Sequence, residues 1–349
     1  MNTVGLEELV DRLAFGGGFS ALSSVGVPVA PIHVVQLDGL AEADWRRLAS
    51  APATQALALP GPILIGLSSE PMPPAAEPII ELLACTLAPG GPGRAWVPLD
   101  RVAELERLGE LVAQAPLAAT TLVQLLRVTP VLPVPDALVA ESFAYSMLLA
   151  GPEHAAWRGR TPVRDVEAED IPVVVERQGD VLRIELDRPR RHNAFGHALR
   201  DALLEALEIA EVDASIRRVA LSGRGPSFCS GGDLDEFGSL PGPAQAHAIR
   251  MARSVGRAVH RLRDRVEVHV HGAVVGAGVE IASFAGHVVA EESAWFCLPE
   301  LSLGLVPGAG GTVSLPRRIG RWRTAWMALT GGRVDLATAL AWGLVDERA

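Results

Sequence analysis

Short apolar runs alternate with stretches of helical spacing through the first part of the chain. Ile32–Leu37, Ile63–Leu67 and residues 95–97 read as strands. Residues 42–51, 76–87 and 101–115 read as helices, the last carrying Val102, Leu105, Leu108 and Leu111 on one face. Residues 118–126 and 136–150 predict two more helices, with Asp136 as an N-cap and Gly151-Pro152 as a stop. A polar, charged, Pro-containing stretch at 161–170 then separates two differently patterned halves. The second half opens with a hairpin of two β-branched runs around Gln178-Gly179-Asp180. A helix at 197–210, a strand at 218–221, a long helix at 244–264 and a strand at 266–271 follow. Strands alternating with helices at this spacing imply βαβ units, a largely parallel sheet and an α/β fold class.

With 349 residues, nearly half of them hydrophobic, the chain can bury one large core or two ordinary ones. The net charge of -10 comes without a basic stripe, so nucleic acid is not an expected partner. No lysine occurs anywhere, which excludes Schiff-base chemistry and a Walker-type phosphate loop. Any phosphate must be gripped by Arg or by backbone N–H groups. Three widely spaced cysteines (Cys85, Cys229, Cys297) suggest no disulfide framework. The acidic, amphipathic N-terminus is unlike a signal peptide, and Arg127, Pro130 and Pro133 interrupt the apolar stretch at 117–134. A soluble, cytoplasmic protein without membrane contact is expected.

Candidate chemistry is confined to the second half. Two glycine-rich loops, residues 223–233 and 271–280, each follow a predicted strand, where ligands bind in a parallel sheet. Small residues let peptide N–H groups approach an anion, although tight turns alone also explain glycines. Glu280 falls in the first turn of a helix, which by itself suits a carboxylate. Its neighbours Val279, Ile281 and Ala282 would desolvate it, however, and raise its pKa toward proton-transfer range. Glu300 follows Pro299 and is also compatible with a plain helix start. Two glutamates beside such loops are well suited to acid/base work on a carbon acid. His269 and His271 share a strand but lack a third ligand, so no metal is expected. Cys229 reads as a buried small residue, and the Pro307–Thr312 run as a helix-start turn near the pocket.

From about Val181 to Asp346 the chain resembles the crotonase (enoyl-CoA hydratase/isomerase) superfamily. The matching motifs run in order. They include Arg188-Pro189, Asn193-Ala194-Phe195, the 225–234 loop, Val270-His271-Gly272, Gly276-Ala277-Gly278-Val279-Glu280 and Pro299-Glu300. They continue through 304–312, Leu315-Pro316-Arg317, 329–332 and 341–345. The resemblance implies a ββα spiral core and an oxyanion hole formed by the N–H groups of Gly232 and Ala277. It implies Glu280 and Glu300 as the pair that positions water and moves its protons. Ser230, Gly231, Asp233, Gly276, Asn193 and Ala194 are implied substrate contacts.

The expected activity is hydration or dehydration of an enoyl thioester delivered by coenzyme A or an acyl carrier protein. No cofactor is expected beyond coenzyme A as part of the substrate, and a homo-oligomer (trimer or hexamer) is expected. Alternatives are a specialised crotonase (isomerase, dehydratase or arylacetyl-CoA oxygenase) and a catalytically silent binding subunit. Two departures stand out. Asp233 is followed by Leu234-Asp235-Glu236 where the family often has a basic residue, leaving Arg190, Arg191 and Arg224 as candidates for phosphate. The family's closing helices do not follow the core; a similar pattern sits at 116–160, in front of it. The expected organisation is therefore an N-terminal α/β region (1–115), a helical segment and linker packing on the core (116–165), and a catalytic core (166–349).

Overall fold

The structure is a computed structural model that describes residues 2–14, 21–50, 61–164, 172–237 and 242–349. Most of the stretch at 161–170 lies outside the described residues. The N-terminal part is built on an all-parallel sheet of five strands, in the order Asn2–Gly5, Ile32–Gln36, Ile63–Leu67, Cys85–Ala88 and Trp96–Pro98. Parallel strands are covered on both faces, which is why Ile63–Leu67 reads as a continuous apolar run. Its period of two still divides the faces. Ile63 and Ile65 join the main core, whereas Leu64 packs with Val35, Leu37, Trp45, Ile79 and Ile80 in a second cluster. One face of this sheet is thus part of the same interior as the C-terminal core.

The C-terminal half coils through stacked layers. A six-stranded sheet runs Glu347–Arg348, His287–Ala290, Val266–Val270, Arg218–Gly223, Val181–Leu186 and Val173–Gln178. All of its pairings are parallel except the last, the predicted hairpin. A smaller sheet of Ala273–Val275, Trp295–Cys297 and Val334–Asp335 lies beside it. Bridges from Phe195 to Gly232, Ser227 to Gly272 and Cys229 to Val274 extend this layering into the first glycine loop. Strand, second strand and short helix therefore recur in successive turns, stacking the two glycine loops directly on each other.

Three expectations are corrected, and one element is new. Residues 76–87 are not one helix: a turn and the short helix Glu77–Ile80 give way to the strand Cys85–Ala88, which the sheet claims as an inner strand. Asn2–Gly5 is an additional strand ahead of the first helix. Asp136 is inside the first turn of the Val134–Leu149 helix, whose N-cap position is Pro133. The long helix at 244–264 is broken into Pro243–Ala252 and Val255–Arg261, because the Ser254 hydroxyl accepts from Arg257 N–H and starts a new helix.

The helices Pro116–Val128, Val134–Leu149 and Pro152–Arg160 pack on the C-terminal core. Glu153 joins two of them by accepting from the N–H groups of Leu117 (2.8 Å) and Ala118 (3.0 Å). His154 Nδ1 meets the Leu303 carbonyl at 3.0 Å, just after the predicted site residue Glu300. Among the described residues no single helix is long and apolar enough to cross a membrane.

Candidate active site

A cavity of about 450 Å³ lies where the two glycine loops meet the Val134–Leu149 helix. Gly232, Asp233, Ala277, Glu280 and Glu300 all line it. Gly232 and Ala277 therefore reach the same cavity from adjacent turns of the coil. Around Gly232, Phe195 N–H donates to Gly231 O and Asp233 N–H to Phe195 O; no described hydrogen bond uses the N–H of Gly232 or Ala277. Both residues line the cavity.

Two close approaches shape this corner. A side chain at Gly232 would put its Cβ 2.7 Å from the Phe237 ring, so glycine lets the ring pack closely there. Phe237 is held edge-on to Trp157 at 6.0 Å, and Arg158 donates to the carbonyls of Leu234 and Phe237. Gly276 has φ of +48°, and a Cβ there would come within 2.6 Å of Glu300 Oε1. Glycine is required at 276 on both counts.

The carboxylates differ in how they are held. Glu280 is 2% exposed, and its Oε2 accepts from the N–H groups of Ala309 (2.7 Å) and Gly311 (2.8 Å). Burial pushes its pKa up to about 7, with those two N–H bonds pulling the other way. Glu300 is 8% exposed, and its Oε2 has no hydrogen-bond partner in the structure. Burial, followed by the nearby charge of Glu280, raises its pKa well above the ordinary carboxyl range. One carboxylate is thus supported as an anion, and the other is favoured as the acid.

A third carboxyl, Glu141, comes from the Val134–Leu149 helix and lines the same cavity. It accepts from Gly310 N–H (2.8 Å), Thr312 N–H (2.9 Å) and the Thr312 hydroxyl (2.7 Å). Burial first, then Glu280, raises its pKa to about 8. The turn at 309–312 therefore offers alternate N–H groups to two acids, Ala309 and Gly311 to Glu280, Gly310 and Thr312 to Glu141. The glycines of that turn were legible in the sequence; that its N–H groups face two carboxylates was not.

Of the remaining predicted contacts, only Asp233 lines the cavity. Asn193 is fully buried: its Oδ1 accepts from Arg188 N–H and its Nδ2 donates to the carbonyls of Arg224, Ser227 and Phe228. Its amide brackets the first glycine loop and has nothing left for a ligand. Ala194, Ser230, Gly231 and Gly276 are absent from the cavity wall, where they shape the backbone behind it. Asp233 reaches the wall but is paired with Arg191 at 2.7 Å and Arg188 at 3.4 Å. Arg191 also holds Asp235, and Arg224 holds Glu185 and Asp187, whereas Arg190 is exposed. Cys229 is buried, and burial drives its thiol pKa up to about 12, so it is no nucleophile. His269 meets Glu267, and His271 meets the Gly225 carbonyl. Among the described residues no group of three metal-binding side chains occurs.

One cavity is thus lined by two buried glutamates, Glu280 and Glu300, together with Gly232 and Ala277. The chain belongs to the enoyl-CoA hydratase/isomerase family, whose model matches residues 176–348. It is 35% identical over 175 residues to the 2,3-dehydroadipyl-CoA hydratase of Escherichia coli, covering 50% of this chain and 68% of that one. It is 36% identical to the 1,2-epoxyphenylacetyl-CoA isomerase of the same species, over 47% of this chain and 64% of the relative. Against the mitochondrial enoyl-CoA hydratase of Pongo abelii it is 32% identical, over 50% and 61%. A solved enoyl-CoA hydratase from Thermoplasma volcanium aligns at 32% identity over 52% of this chain and 72% of its own, with a TM-score of 0.48. The matched part thus spans roughly two thirds of these relatives' length.

Proposed function

We propose that the protein is an enoyl-CoA hydratase-type lyase that adds water to, or removes it from, the α,β bond of an acyl thioester. The observation that carries this reading is the unequal support of Glu280 and Glu300 within one buried cavity that also holds the N–H groups of Gly232 and Ala277.

In the hydration direction, the thioester oxygen lies between the two N–H groups. Glu280, ionised, accepts a proton from water as the water oxygen bonds to Cβ. The π electrons move toward the carbonyl oxygen, where Gly232 and Ala277 stabilise the enolate. Glu300, protonated, delivers its proton to Cα as the enolate collapses. Glu280 ends protonated and Glu300 ionised, and proton exchange with solvent resets both. The Val134–Leu149 helix supplies the cavity wall that closing helices would otherwise provide, and coenzyme A or a carrier protein delivers the acyl group. Retention of both carboxylates disfavours a silent binding subunit.

The test is loss of enoyl absorbance on incubation with crotonyl-CoA and longer homologues. Hydration abolished by Glu280→Gln and by Glu300→Gln is the expected result. Tight acyl-CoA binding with no turnover at any chain length would return the silent-subunit reading.

A further inference from the structure

One wall of the cavity, where the helices Val134–Leu149 and Pro243–Ala252 face each other, carries a cation that the chemistry above does not use. Arg250 lines the cavity, and its guanidinium is oriented entirely by neutral groups. Its Nε donates to Ser142 Oγ at 3.0 Å, and its Nη2 donates to the Ser142 carbonyl at 3.4 Å and to Ser146 Oγ. Its carbon lies 4.4 Å from the centroid of the Tyr145 ring. No described hydrogen bond uses Nη1, and no described carboxylate lies within ion-pair distance of the guanidinium.

The other basic side chains at the cavity are different. Arg200 and Arg253 both pair with Asp201, and His197 pairs with Glu236. Burial pushes the Arg250 pKa down, countered by Tyr145 and by Glu141. Glu141 already accepts three hydrogen bonds from Gly310 and Thr312, so it does not serve as the counter-ion. A part-buried guanidinium held only by neutral groups lacks a counter-charge, which an incoming anion supplies.

We propose that Arg250 is the specificity-determining residue of the acyl pocket and selects acyl thioesters whose acyl chain ends in a carboxylate. This rests on the acyl-thioester reading of the site. The planar fork of Arg matches a carboxylate in a bidentate manner. Position distinguishes an acyl carboxylate from the phosphates of coenzyme A. The Tyr145 ring that carries Arg250 also packs directly on Gly308, next to the Ala309 and Gly311 N–H groups that cradle Glu280. The guanidinium is thus one aromatic ring away from the acid/base machinery, whereas the phosphates are set back by the whole pantetheine arm. Leu138, Phe195, Met251 and Ile281 line the same cavity and suit the methylenes between.

The test is calorimetric binding to the full chain of equal-length pairs of saturated thioesters, hexanoyl-CoA against adipyl-CoA and octanoyl-CoA against suberyl-CoA, with free CoA as a third arm. Saturated ligands are not turned over, so the outcome is separate from whether crotonyl-CoA is hydrated. In at least one pair the dicarboxylate is expected to bind about tenfold or more tightly than its neutral partner, as one charge-assisted contact implies. That ratio should collapse toward one in Arg250→Gln and be partly retained in Arg250→Lys. Wild-type ratios of one or less in both pairs overturn the proposal. So does an equal loss for all ligands including free CoA, which marks a phosphate contact. If Arg250→Gln does not fold, having lost the ties to Ser142 and Ser146, the wild-type ratio and Arg250→Lys decide.

Discussion

The protein contains two parallel sheets with glycine- and serine-bearing turns at strand ends, yet only one is equipped for chemistry. In the N-terminal sheet the polar cluster beyond the strand ends closes on itself. Asp38 Oδ1 accepts from Ser69 N–H (2.7 Å) and from the hydroxyls of Ser68 and Ser69 (both 3.0 Å). Despite the cost of partial burial, these bonds lower its pKa, so it remains an inert anion. In the C-terminal core, Glu280 is held through one oxygen, Glu300 Oε2 has no hydrogen-bond partner, and Gly232 and Ala277 line the same cavity. A parallel sheet supplies positions for a site; what makes one is polar groups deliberately left incomplete.

The largest test of that contrast removes the incomplete groups. Glu280→Gln and Glu300→Gln should each lower kcat by about 10²–10⁴-fold, the range of general acid–base catalysis, measured by enoyl absorbance. Next, Gly276→Ala should lower kcat on the order of 10²-fold, because its methyl both displaces Glu300 Oε1 and resists a φ of +48°. Glu141→Gln should be smaller, about tenfold in kcat, since it disturbs the turn holding Glu280 without touching the reacting atoms. It should also move the basic limb of the pH–rate profile to lower pH, because Glu141 helps to raise Glu300. The smallest effect tests the inert region: Asp38→Asn should cost about 1–2 kcal/mol of stability and leave kcat/KM unchanged.

The same carboxyls set a sign for stability. Glu141, Glu280 and Glu300 hold protons in the folded state that the unfolded chain releases near 4.5. Their contribution is complete below that value and is lost as pH rises through about 7 to 8. Tm should therefore fall from pH 5 to pH 8, and the fall should flatten when the three are replaced by Gln. A Tm that rises over this interval in the wild type would contradict the burial of unpaired carboxyls.

Much of this was legible in the chain because periodicity survives burial. Ile63–Leu67 was read to the residue, since five apolar positions between turn signals admit little else. Cys85–Ala88 was misread because its apolar run continues a helical pattern, and only the neighbouring strands decide between the two. Motif order groups Glu280, Glu300, Gly232 and Ala277, and the structure lines one cavity with all four. Asn193 was misjudged, since nothing local reveals that its amide faces three backbone carbonyls. Arg250 was invisible as a pocket group, because it becomes one only where two helices distant in sequence meet.

Glu141 and Thr312 lie 171 positions apart, and Glu141 and Gly310 lie 169 apart. Such contacts close late in folding, after local helices and hairpins have formed. During refolding, helical signal should therefore return well before hydratase activity, and the interval between them should report the docking of a wall made first onto a centre made last.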